Sequence, residues 1–103
     1  MTVEGNGSRL FVVHCSGAIA KAIRLVHEQA TDEGRGPEVT KALRQIIHRL
    51  EREPFDVGEP VYRLPSLKMQ VRATVIRPLA VDFGVCEDQP LVFVKGVKLL
   101  SLK

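Results

Sequence analysis

The segment from Val61 to Val81, VYRLPSLKMQVRATVIRPLAV, holds four cations, Arg63, Lys68, Arg72 and Arg77, and no carboxylate. Arginine and lysine donate to phosphate oxygens, and arginine does so in a fixed fork that meets two oxygens at once. Such a cluster can stabilise charge on a phosphorane or grip a nucleic-acid backbone. It can also be the solvated face of a strand, where charge discourages edge-to-edge aggregation. Between 67 and 75, Leu67, Met69, Val71, Ala73 and Val75 alternate with Lys68, Gln70, Arg72 and Thr74. A period of two predicts a strand over 67–76 with the odd positions inward and Lys68, Gln70 and Arg72 outward. Lys68 and Arg72 would then stand about 13 Å apart at roughly 3.3 Å per residue, a span suited to following a chain of phosphates or an acidic helix rather than closing on one phosphate. Arg63 and Arg77 flank the strand in loops, and Lys98 joins the same face if the last strand keeps its register.

The remaining reactive side chains form no pattern of their own. Cys15 and Cys86 are far apart, with no CxxC pair and no Cys/His zinc spacing. Neither has a base partner evident in the sequence, so both are expected as reduced thiols in or near the core. His14, His27 and His48 are scattered over separate elements, so no metal and no cofactor is expected.

The elements that must position these residues follow from periodicity. RLFVVHC, residues 9–15, is β-branched and aromatic and predicts a strand. Ser16 is a candidate N-cap, and Ile19, Ala22, Ile23, Val26 and Ala30 make one helical stripe. That helix is expected over 17–33, closing at Gly34 and Gly36. Pro37 and Glu38 suit the first turn of a second helix over 37–52, with Val39, Ala42, Leu43, Ile46, Ile47 and Leu50 inward. Residues 55–65, with Gly58, Pro60 and Pro65, read as a loop. Strands are expected over 79–86 and 91–100, joined by the turn EDQP.

At 103 residues, with 26% charged residues and a net charge of +3, this is the composition of one ordinary globular domain that permits an anionic partner without demanding one. Residues 1–8 are small and polar and are expected to be disordered, with the domain spanning 9–103. No leader or membrane-spanning pattern is present, so the cytoplasm is the expected compartment. The order β-α-α-β-β-β predicts an α+β fold in which a helical hairpin packs on one face of a small, mainly antiparallel sheet.

This layout resembles the RelE/ParE superfamily of bacterial type II toxins. The likeness lies in the N-terminal strand, the helical hairpin ending in LEREP (50–54), and the run GEPVYRLPSLKMQVRATVIRPLAVDFGVCEDQPLVFVKGV, and it spans residues 9–100. The resemblance implies an action on the ribosome and its mRNA, or on gyrase, held silent by a cognate antitoxin. RelE-type enzymes cleave mRNA by activating its own 2′-hydroxyl, with basic residues on successive strands. Lys68 and Arg72 fall where that family is basic. Gln70, Ala80 and Leu100 stand where further cations are expected, and no Tyr or His follows the last strand. The resemblance thus implies a toxin-type protein in which most of the RelE catalytic set is absent. The alternative is a catalytically silent interaction module of the same fold.

Overall fold

The computed structural model describes residues 10–101; the N-terminal segment 1–8 lies outside the described residues. Two helices, α1 (Gly17–Asp32) and α2 (Gly36–Arg52), form the predicted hairpin. Ser16 caps α1, its hydroxyl accepting from the Ile19 amide at 3.2 Å. Gly34, at a φ of 77°, provides the turn between the helices. Pro37 and Glu38 occupy the first turn of α2, with Arg49 and Arg52 in its last, an order that suits the helix dipole at both ends.

Among the described residues five strands make one sheet: β1 (Val12–His14), β2 (Glu59–Leu64), β3 (Met69–Ile76), β4 (Leu79–Cys86) and β5 (Leu91–Leu99). Their spatial order is β1-β5-β4-β3-β2. Only the β1–β5 pair is parallel. The α+β class and the one-sided helical hairpin stand as expected, with one more strand than the sequence suggested. That strand is β2, placed within the stretch read as a loop. Its prolines are tolerable because it is an edge strand, and a bulge at Val61 breaks its register against β3. The predicted strand from 67 begins two residues late, because Pro65–Leu67 forms a turn of 3-10 helix and Lys68 leaves it in the left-handed region at a φ of 48°.

The core lies between the helices and one sheet face. Val39, Ala42, Ile46 and Leu50 of α2 meet Leu79, Val81, Phe83 and Val85 of β4 and Val92 and Val94 of β5. Each fully buried Leu, Ile or Phe contributes roughly 1.5–3 kcal/mol of hydrophobic stabilisation. The segment before β1 is pinned to the end of α2, where the Phe11 amide donates to the Glu51 carbonyl at 2.7 Å. Phe11 also meets Phe55 edge to face at 6.2 Å.

Directly paired residues on neighbouring strands share a face, so the register assigns every strand position. Arg72 pairs with Phe83, Gln70 with Val85 and Thr74 with Val81. The even positions of β3 therefore point to the helix side, and the odd positions to the open side. This reverses the predicted orientation. Alternation along β3 was visible in the sequence, but the face with the larger apolar side chains is the one the helices leave uncovered.

Candidate anion-binding and docking surfaces

The six candidate residues do not form one basic face. Arg72 is 7% exposed and lies beneath the segment that connects α2 to β2. Its Nε donates to the Val57 carbonyl at 2.9 Å and its Nη2 to the Gly58 carbonyl at 3.0 Å, while Nη1 donates to Gln70 Oε1. A buried guanidinium must have its donors satisfied, and here backbone carbonyls and an amide oxygen do so without a carboxylate. Arg72 and Gln70 thus form an internal clamp. The expectation that Arg72 faces water beside Lys68 is corrected: the sheet register turns it inward.

Arg63 and Lys68 are exposed but engaged. Arg63 Nε and Nη2 donate to the two carboxylate oxygens of Glu87, each at 2.6 Å. This bidentate pair reaches from β2 across the end of β3 to the turn after β4. The Arg63 guanidinium holds the Glu87 carboxyl below the ordinary carboxylate range, and Glu87 in turn raises Arg63. Lys68 Nζ stands 3.8 Å from Asp88 Oδ2 in the same turn. The acids that neutralise both cations come from EDQP, a segment outside the cation-rich stretch.

Arg77 and Lys98 make no ion pair among the described residues, and the structure separates them. Lys98 pairs with Ala80 and so stands on the open sheet face, diagonal to Asp82 on the neighbouring strand rather than among cations. Arg77, in the β3–β4 turn, helps to line a cavity of about 510 Å³ with Arg35, Glu38, Lys41 and Gln45 of the α2 end and with Pro78 and Leu100. Nothing in the sequence singles out Lys41 or Arg35. Their approach to Arg77 depends on tertiary packing and leaves no local signal.

The open sheet face carries a different pattern. His14 pairs with Phe93, Phe93 with Gly84, Gly84 with Val71 and Val71 with Tyr62. These five residues make one transverse row across all five strands, about 19 Å long at roughly 4.8 Å between strands. His14 and Phe93 meet edge to face, their ring centroids 5.4 Å apart. Met69 lies over Gly84, where a β-carbon would collide with its sulfur. Tyr62 at 51% exposure and Leu67 at 61% remain largely open to solvent at the margin of this face, while Val71 at 4% and Met69 at 8% are closed off at its centre.

Cys15 and Cys86 are free thiols. Burial raises both above a free thiol's ordinary pKa, with the Asp88 charge adding to the effect at Cys86, so neither is poised as a thiolate nucleophile. Among the described residues, no group of three or more His, Cys, Asp or Glu side chains is arranged to hold a metal ion. No helix among them is long and apolar enough to cross a membrane. No family model, curated protein or solved structure matches this chain.

Proposed function

We propose that this protein is a toxin-type effector of the RelE/ParE kind that acts by binding a macromolecular partner, gyrase or the ribosome, rather than by cleaving RNA, and that a cognate antitoxin covers it. The element order and one-sided helical hairpin support the likeness to that superfamily. The observation that carries the mechanism is the engagement of the candidate cations. Glu87 holds Arg63, Asp88 faces Lys68, and backbone carbonyls hold Arg72. Phosphoryl chemistry needs several donors aimed at the position where charge develops. Here the three are committed elsewhere, while an aromatic and aliphatic row lies on the uncovered sheet face.

The test is induced expression in bacteria, with growth and total RNA integrity followed together. Growth arrest with intact RNA is the expected result. Arrest accompanied by mRNA fragmentation would replace this reading with nuclease action, and unimpaired growth would remove the toxin assignment. Tyr62→Asp, which charges the open row without touching the core, is expected to relieve the arrest; arrest that persists would place the working surface elsewhere.

A further inference from the structure

The cavity at the β3–β4 turn has a composition that the toxin reading does not use. Its helical wall is Glu38, Lys41, Ala42 and Gln45, residues spaced along one face of α2. Arg77 and Pro78 of the β3–β4 turn, with Leu100 and Ser101 just past the end of β5, complete the lining. The end of β5 is fixed to the turn, since the Leu100 amide donates to the Pro78 carbonyl at 2.8 Å. Arg35 is 8% exposed and its guanidinium is paired with Glu33, so it adds no free donor to the site. Lys41 and Arg77 have no ion-pair or hydrogen-bond partner among the described residues, and they reach the same space from two different elements.

We propose that this cavity binds a nucleoside phosphate. Lys41 and Arg77 supply charged donors for the phosphate, a point charge and a planar fork. Glu38, the one carboxylate among the described lining residues, disfavours a bare polyanion but accepts hydrogen bonds from sugar hydroxyls. Leu100, partly exposed above the buried Ala42 and Pro78, offers apolar surface for the flat face of a base. The volume of about 510 Å³ falls within the roughly 300–1,000 Å³ range of small-molecule sites. A mixture of two free cations, one carboxylate and an apolar wall matches a ligand that is anionic at one end, hydroxylated in the middle and nonpolar at the other. Inorganic phosphate satisfies only the first of these. The site is independent of the open sheet face, so its failure leaves the proposed function standing.

The experiment is amide NMR of the full chain titrated separately with adenosine monophosphate, inorganic phosphate and adenosine. The monophosphate is expected to move the signals of Lys41, Gln45, Arg77 and Leu100, and to bind at least about tenfold more tightly than either fragment, the scale of one charge-assisted contact. Lys41→Glu and Arg77→Glu each weaken it by about tenfold or more with thermal melts unchanged, both side chains being exposed. Glu38→Gln weakens the monophosphate but not phosphate. Signals that stay still up to about 10 mM monophosphate, or shifts that survive both charge reversals, overturn the site. Phosphate binding as tightly as the monophosphate, or a Glu38→Gln variant with unchanged preference, overturns its assignment to a nucleoside.

Discussion

The guanidinium of Arg72 on β3 holds the carbonyl of Val57 at 2.9 Å, joining residues fifteen positions apart. Val57 is completely buried, so its carbonyl has no water to fall back on. Arg72→Ala should therefore destabilise the protein by about 2–4 kcal/mol, through loss of packing and through the orphaned buried carbonyl of Val57. Arg72→Glu should be worse, because it puts a carboxylate against two carbonyl oxygens. Urea melts decide the matter: an Arg72→Ala variant within about 0.5 kcal/mol of wild type would mean the side chain is a surface group after all.

Gly58 and Gly84 should differ in their tolerance of a methyl group. Gly58 sits at a φ of 65°, and a β-carbon there would strike the backbone carbonyl of Ala73, which cannot move aside. Gly58→Ala is expected to cost roughly 2–5 kcal/mol from left-handed strain and collision together. At Gly84 the obstacle is the side chain of Met69, and Gly84→Ala should cost about 1–2 kcal/mol. That smaller cost should largely vanish in a Met69→Ala background, which a double-mutant cycle of thermal melts measures directly.

Along α2, burial ranks three substitutions. Ile46 is 2% exposed and packs in the centre of the core, so Ile46→Ala should lose about 2–5 kcal/mol. Leu43 packs on the core from its margin and is only half-buried, so Leu43→Ala should lose about 1–2 kcal/mol. Lys41→Ala should stay within about 0.5 kcal/mol. Denaturant midpoints in any other order would show that the helix is rotated about its axis.

Acid should release the Arg63–Glu87 pair. Hydrogen bonds from Arg63 lower the folded-state pKa of Glu87, so the pair's contribution is present above the unfolded carboxylate value of about 4.3. It disappears as the pH falls through the depressed folded value. Glu87→Gln should flatten the fall of melting temperature between about pH 5 and pH 3, with little change near neutrality. Parallel wild-type and Glu87→Gln curves across that range would show that the pair contributes nothing in solution.

The helical hairpin was legible because its signals are local. Ser16, Gly34, Pro37 and the stripe from Val39 to Leu50 each act within a few residues of themselves. Strand β4 was legible for the same reason, with Leu79, Val81, Phe83 and Val85 all inward. Strand β3 shows where such reading stops. Its alternation gave the element, but the apolar set of Met69, Val71, Ala73 and Val75 lies on the open face, which only the pairing of Arg72 with Phe83 reveals. Strand β2 was hidden by Pro60, Pro65 and its bulge, features that an edge strand accommodates. The candidate site failed on charge pairing: the partners of Arg63 and Lys68 lie in the turn after β4, brought close by a sheet register that no spacing in the cation-rich segment encodes.

The parallel pairing of β1 with β5 sets an order of assembly. During synthesis the hairpin of helices and the β2–β3–β4 meander can form from neighbouring segments as they emerge. Val12–His14 must wait, because its one sheet neighbour among the described residues, Leu91–Leu99, is made after the other strands. Until then the buried faces of Val85 and Phe83 lack the strand that borders them. A nascent chain released before residue 91 would expose that edge, so premature termination should yield aggregates or proteolytic substrates rather than a smaller folded domain.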